Sequence, residues 1–146
     1  MFKAVFAACL VLAALLTGAC KSSTGPSADE LEGTWTATKA EFVLKSDTST
    51  KVDIVDEGST VTLVLGSSTF TLTTDDTRPE ETSLSGTWSK TTDTLTLAPT
   101  GADYTIVFDM TLSGSTLTLE GGGVMFDFTS TETFEDAELN MVLTKS

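Results

Sequence analysis

Polar and apolar side chains alternate along most of the chain from Leu31 onward. The sequence reads TVTLVL over residues 60–65, GSS over 66–68 and TFTLT over 69–73. A period of two places the apolar side chains on one face of a β-strand. Short runs of this kind, separated by Gly, Ser, Asp and Pro turns, are typical of an antiparallel sandwich or barrel. The pattern therefore predicts one all-β domain over residues 31–146.

We predict about eight to ten strands and no helix, because no run of ten or more residues shows a 3.6-residue period. In the first strand, Trp35 is in phase with Lys39, whereas Phe42 is in the opposite phase. A bulge near residues 37–40 would restore the alternation. The predicted strands cover residues 33–45, 51–57, 60–66, 68–74, 82–90, 93–98, 103–112, 115–120, 124–130 and 139–145.

One short motif occurs twice. Residues 31–38 read LEGTWTAT and residues 84–91 read LSGTWSKT, so Leu, Gly and Trp alternate along one strand face in both copies. Glycine at the central position leaves room for an indole or for a sharply coiled backbone. Two interpretations stay open: Trp35 and Trp88 either fill the core, or one of them lines a ligand pocket.

The N-terminus has the features of a secretory signal. An apolar run of 13 residues follows Lys3, too short to span a bilayer, and ends in Leu16-Thr17-Gly18-Ala19-Cys20. Small residues before a cysteine resemble the lipobox of bacterial lipoproteins, in which the Cys receives a diacylglycerol and its new amine is acylated, often with palmitate. We expect a lipoprotein signal peptide over residues 1–19 and lipidation of Cys20. The alternative is ordinary cleavage after Ala19, which leaves a free thiol.

Composition narrows the chemistry of the exported chain. The chain contains no histidine, which excludes Ser-His-Asp catalysis and imidazole metal sites. After removal of the signal peptide its only cysteine is Cys20, so lipidation would leave no free thiol. The full chain carries a net charge of −13, which disfavours nucleic acid and anionic membranes as partners. Its 29 threonines suit strands, because β-branched side chains fit a pleated surface. Residues 20–30 read as the lipidated Cys and a flexible tether.

Several short motifs resemble lipocalins. Gly33-Thr34-Trp35 is similar to the G-x-W motif that opens the first lipocalin strand, and Asp103-Tyr104 to part of a T-D-Y motif. Over residues 31–145 the chain resembles the bacterial lipocalin-like domain family. Members of that family are commonly secreted lipoproteins. The resemblance implies an up-and-down β-barrel. The chain departs from true lipocalins in two ways. It lacks the late arginine that packs on the first Trp, and Lys145 is the remaining basic candidate for that position. It also lacks a C-terminal helix.

Two kinds of loop are candidate sites. The first kind is an acidic turn, which occurs at Asp53, Asp56 and Glu57 and again at residues 75–81. These turns have the oxygen ligands that Ca²⁺ prefers, but their spacing fits no EF-hand. The alternative is that both are ordinary solvated turns. Paired carboxylates also serve glycosidases, yet no pair here has a defined separation, so we expect no enzyme activity. Gly121–Gly123 reads as a flexible hairpin loop. Phe134, in the acidic segment before the last strand, is a candidate lid over a barrel mouth.

The barrel interior is the remaining candidate site, because small barrels either fill themselves or hold one small ligand. We expect a membrane-anchored monomer of the cell envelope that binds a small hydrophobic molecule or lipid, with no cofactor and no metal. The residue that follows Cys20 is Lys21 rather than Asp. By resemblance to other lipoproteins, this indicates the outer membrane. The side of that membrane on which the domain lies stays open. The alternative function is a structural or protein-interaction module with a filled barrel. The residues predicted to line a pocket are Trp35, Phe70, Trp88, Tyr104, Phe108 and Met110.

Overall fold

The computed structural model describes residues 25–75 and 82–146. The predicted signal peptide over residues 1–19, Cys20 and residues 76–81 lie outside the described residues. The described chain forms one short helix, α1 (Ala28–Leu31), and the strands β1 (Gly33–Leu44), β2 (Lys51–Asp53), β3 (Thr60–Leu65), β4 (Thr69–Asp75), β5 (Thr82–Lys90), β6 (Thr94–Pro99), β7 (Ile106–Ser113), β8 (Thr116–Phe126) and β9 (Glu135–Lys145).

The strands form a closed antiparallel barrel with up-and-down connections. From β3 to β9 each strand pairs with the next, and β1 closes the circle by pairing with β9. The first half of β1 pairs with β3 and its second half with β2, so β2 and β3 together occupy one of the eight positions around the barrel. Among the strands that the structure describes, closure leaves no long unpaired edge to attract another chain. The predicted all-β up-and-down barrel is confirmed.

A bulge in β1 restores the inward alternation, as predicted from the sequence. The register between β1 and β9 shifts between Ala37 and Lys39. Before the shift, Trp35 and Ala37 are buried, and after it Ala40 is buried and Phe42 packs against the core. One strand can therefore direct apolar side chains inward along its full length.

The glycine triplet belongs to a strand rather than to the predicted hairpin loop. Gly121–Gly123 lies within β8, where a second register shift separates Leu119 from Gly122. Gly121 has a φ of +76° and its N–H donates to Asn140 Oδ1 over 2.8 Å. A Cβ on Gly122 would collide with the ring of Phe108. The glycines thus permit a bulge and the close approach of an aromatic ring, and the predicted strands 115–120 and 124–130 merge into β8.

Helix α1 closes one end of the barrel, which we call the closed end. It was not predicted, since four residues are too few to show helical periodicity, although Ser27 and Glu30 form a capping box. The indole N–H of Trp35 donates to Leu31 O over 2.7 Å, and both residues are fully buried. No helix among the described residues is long and apolar enough to cross a membrane.

Lys145 completes the closed end. Its Nζ lies 5.2 Å from the ring centroid of Trp35 and donates to Glu30 O over 2.8 Å. Gly33 leaves space for this side chain, since a Cβ there would lie 2.8 Å from Lys145 Cε. A cation over an aromatic face is attracted by the ring quadrupole. Lys145 therefore covers the first Trp, the position for which it was the remaining basic candidate in the sequence.

The second Trp motif fills the core in a different way. Trp88 is 8 % exposed and its indole N–H donates to Gly66 O over 2.7 Å. A Cβ on Gly86 would overlap the backbone of Ala98 and Pro99, so glycine here allows β5 and β6 to approach closely. Both indoles are core residues whose polar atom is satisfied by a backbone carbonyl, which agrees with the core interpretation.

Replacement of Gly122 by Ala tests this packing. The new methyl group must displace the Phe108 ring, and overpacking of a dense core costs about 1–3 kcal/mol. The neighbouring Gly123→Ala is the matched control, because its Cβ would meet only the mobile end of Lys45, at 3.4 Å. Urea unfolding should show a clear loss of stability for Gly122→Ala and little change for Gly123→Ala. Equal stabilities would contradict the packing described.

Candidate functional site

A cavity of about 790 Å³ lies at the end of the barrel opposite α1. This open end is formed where β1, β4 and β8 end and where β5, β7 and β9 begin. The volume falls within the range of small-molecule sites, about 300–1,000 Å³. The lining residues are Phe42, Lys45, Ile54, Leu72, Thr74, Leu84, Tyr104, Thr105, Ile106, Gly123, Val124, Met125, Phe126, Asp127, Ser130, Glu132, Phe134, Asp136 and Leu139.

The floor of the cavity is apolar and continuous with the barrel core. Ile54, Leu72, Ile106 and Leu139 are all buried, and all four line the cavity. Leu84 and Val124 also line it and pack against the core from partly buried positions. These residues come from five strands and one connection, so the floor exists only when the barrel is closed. It offers an apolar surface and no ionisable group.

Aromatic side chains form the upper wall of the cavity. Phe42 and Phe126 stack with their ring centroids 3.9 Å apart, and Phe128 meets Phe126 edge-on at 4.9 Å. Tyr104 and Phe134 also line the cavity and are 53 % and 50 % exposed. Contiguous exposed apolar surface of this kind, rather than a single exposed side chain, is typical of ligand-binding grooves. Phe134 lies at the mouth, where the sequence analysis placed its candidate lid.

The structure separates the six residues predicted to line a pocket. Only Tyr104 lines the cavity, from the loop before β7 rather than from the predicted strand over 103–112. The other five are outside the cavity lining and are buried in the filled part of the barrel: Trp35, Phe70, Trp88, Phe108 and Met110. Their inward orientation was anticipated, but the strand register places them nearer the closed end or at mid-height.

Four charged residues line the mouth of the cavity. Asp127, Glu132 and Asp136 carry negative charge and Lys45 carries positive charge, so the described part of the lining has a net negative charge. Glu132 and Asp136 are exposed and Asp127 is partly buried. The apolar floor and the charged mouth divide the cavity into two chemically different zones.

Asp127 organises the loop between β8 and β9. Its carboxylate accepts hydrogen bonds from the N–H of Thr129 at 3.0 Å and from the N–H of Glu132 at 2.7 Å. Ser130 and Glu132 both have left-handed backbones, with φ of 55° and 61°, a conformation that costs non-glycine residues energy. The loop that contributes Phe134 to the cavity is thus held in shape by one carboxylate.

The same hydrogen bonds act on the ionisation of Asp127. Partial burial raises the pKa of this carboxyl, but backbone hydrogen bonds from Thr129, Glu132 and Thr131, with a side-chain bond from Thr129, outweigh burial and hold the pKa below its usual range. The charged form is therefore the form that the folded loop favours.

The first acidic turn has a structural role in the fold. Asp53 Oδ1 accepts hydrogen bonds from the N–H of Ala40 and of Val55, both at 3.1 Å. Among residues 25–75 and 82–146, no group of three carboxylates or other ligands is arranged to hold a metal ion. The second acidic turn lies outside the described residues except for Asp75.

Sequence reasoning missed most of the cavity, including Leu72, Leu84, Ile106 and Leu139. Each was recognisable as an inward residue from its alternation with polar neighbours. The usable signal was position along the strand: Leu84 and Ile106 lie near the start of strands that run away from the mouth. Choosing by size instead favoured the large aromatic residues of the closed half.

Comparison with known proteins agrees with this geometry. A family model described as a lipocalin-like domain matches residues 31–119, from the end of α1 into β8. Comparison with curated proteins and with solved structures found no match.

Replacement of Asp127 by Asn tests whether its carboxylate holds the loop between β8 and β9 in shape. The amide retains one acceptor oxygen and loses the charge, so the N–H groups of Thr129 and Glu132 should exchange with deuterium severalfold faster at pH 7. Asp93→Asn, in the turn between β5 and β6, is the control and should leave this loop unchanged. Because the pKa of Asp127 is lowered, the wild-type loop should keep its protection from pH 7 to about 4 and lose it at lower pH. Unchanged exchange in Asp127→Asn would contradict this role.

Proposed function

Because this chain belongs to the lipocalin-like domain family, we propose that it is a binding protein that holds a small hydrophobic molecule or lipid at the open end of its barrel. The observation that carries the proposal is the cavity of about 790 Å³, which has an apolar floor and is open at its mouth. The alternative of a barrel filled from end to end does not fit this cavity. The filled half then serves as the rigid support of the site.

Binding in such a cavity depends on shape and on apolar contact. Burying about 300 Å² of apolar ligand surface gives about 7 kcal/mol before the entropy cost of association is subtracted. The closed half of the barrel holds the floor residues in place, which reduces the ordering cost on binding. We propose no catalytic step, because the floor has no ionisable group and the chain has no histidine.

We also propose that the protein is a monomer anchored by lipid on Cys20 in the cell envelope, at the outer membrane. The support is the sequence LTGAC over residues 16–20. Gly25 begins the described chain beside Thr92, in the turn between β5 and β6, where a Cβ on Gly25 would overlap the Thr92 carbonyl. Five residues of chain reach at most about 18 Å, so a lipid on Cys20 keeps the closed end near the membrane.

This arrangement has a consequence for the cavity. The chain enters at the closed end, and the cavity opens at the opposite end of the barrel. The mouth would then face away from the membrane that holds the anchor. A ligand would be taken from the surrounding aqueous space or from a facing surface rather than directly from the anchoring bilayer.

Binding of N-phenyl-1-naphthylamine, a neutral apolar fluorophore, tests the cavity. Val124→Trp and Thr74→Trp place an indole into the cavity from two different walls and should weaken binding by about tenfold or more. Val107→Trp is the control, because Val107 lies on β7 next to a lining residue but is 48 % exposed and outside the lining. Circular dichroism should verify that each variant folds. Unchanged affinity in both folded cavity variants would overturn the proposed site.

Mass spectrometry of the N-terminal peptide tests the anchor. Full-length protein expressed in a bacterium with two membranes should carry a diacylglycerol and an acyl chain on Cys20 and should sediment with membranes. Cys20→Ala should remain unmodified and lose membrane association, because one residue carries all the anchoring chains. A mature N-terminus with an unmodified thiol, reactive with maleimide, would support ordinary cleavage instead.

A further inference from the structure

The mouth of the cavity combines exposed aromatic rings with excess negative charge, and we infer that the preferred ligand is an amphiphile with a cationic headgroup, such as a quaternary ammonium, and an apolar tail. This inference rests on the proposed function and adds the charge of the ligand to it. The apolar floor would hold the tail, and the mouth would hold the headgroup.

The aromatic residues supply the first part of the selection. Tyr104 and Phe134 line the mouth and keep half of their surface exposed, so both side chains are accessible to a ligand. Below them, the stacked pair of Phe42 and Phe126 forms the wall. The faces of aromatic rings carry negative quadrupole density and attract cations, whereas a carboxylate near a ring face is repelled. Quaternary ammonium groups favour such surroundings because they have no hydrogen bonds to lose.

The charges at the mouth act in the same direction. Among the described residues, three carboxylates line it, from Asp127, Glu132 and Asp136, against the one ammonium of Lys45. The hydrogen bonds that Asp127 accepts keep it ionised at neutral pH. The whole chain adds a background of −13, so the potential around the mouth attracts cations and repels anions over about a Debye length. Among the described lining residues, a fatty-acid carboxylate would have only Lys45 as a cationic partner.

The floor explains why the ligand also needs an apolar tail. Leu72, Ile106 and Leu139 are buried residues of the cavity lining, whereas none of its four charged residues is buried. A small hydrophilic cation would leave these side chains in contact with water and would gain nothing from apolar burial. An amphiphile satisfies both zones at once, with its charged end in the partly solvated mouth.

Three ligands with the same dodecyl chain test the inference: dodecyltrimethylammonium, dodecanol and dodecanoate. Each is measured by displacement of N-phenyl-1-naphthylamine at low salt and at 0.15 M salt, the two ionic ligands below their micelle concentrations and dodecanol below its solubility limit. We expect the cation to bind about tenfold more tightly than dodecanoate, with dodecanol between them. The preference for the cation should shrink at higher salt, because salt screens the charges at the exposed mouth.

Charge variants locate the preference at the mouth. Glu132→Gln combined with Asp136→Asn should weaken cation binding by about fivefold and leave dodecanol binding unchanged. Asp109→Asn combined with Glu120→Gln removes the same net charge from a cross-strand pair on the outer wall and should change neither affinity. Lys45→Met should strengthen cation binding and weaken dodecanoate binding.

The possible outcomes separate this inference from the proposed function. If none of the three ligands displaces the fluorophore, the proposed function fails. If dodecanol and dodecanoate bind as tightly as the cation, the cavity stands and the charge preference is overturned. If both double variants lower cation affinity equally, the preference comes from net charge alone, which also overturns a headgroup site at the mouth.

Discussion

The long pairing of β1 with β9 is the constraint on which the rest of the structure depends. These two strands pair from Trp35 to Leu44 in antiparallel register, interrupted by one bulge between Ala37 and Lys39. Without this pairing the barrel would be an open sheet with two exposed edges and an apolar face in contact with water. The bulge adds one residue to β1 and so corrects the phase of its side chains. The same strand therefore contributes Trp35 to the filled end and Phe42 to the cavity.

The two ends of the barrel differ because they are covered differently. At the closed end, α1 and the side chain of Lys145 cover Trp35, and the interior is packed with large side chains down to near-zero exposure. At the open end, the loop between β8 and β9 is held by Asp127 and does not fill the space above Leu139 and Ile106. Native interiors tolerate few voids, so a cavity of about 790 Å³ requires the rigid support of the filled half.

Much of the barrel was predictable because the chain pairs mainly with its sequence neighbours. Hairpin strands such as β3 and β4 show clear alternation and end at turn residues, and both were placed within one residue of their bounds. The bulge in β1 was predictable from the change of phase between Trp35 and Phe42. The glycine triplet was wrongly predicted to be a loop. Glycine is equally typical of a turn and of a strand position where another group packs closely against the backbone. The position of the Phe108 ring against Gly122 shows that the second case applies. Helix α1 was missed because one turn shows no periodicity, although its capping box was present.

The sequence by itself determined which residues point inward, because alternation along a strand specifies a face of the sheet. It also determined the absence of imidazole and the net negative charge of the chain. Only the tertiary structure decided the height of each inward residue along the barrel axis, because height depends on the hydrogen-bonded register between strands. Five large residues predicted for the pocket share the correct face with Leu84 and Ile106 but lie lower in the barrel. A site at one end of a barrel depends on the register between strands and on the loops that cover that end. The alternation of polar and apolar residues in the sequence specifies neither of them.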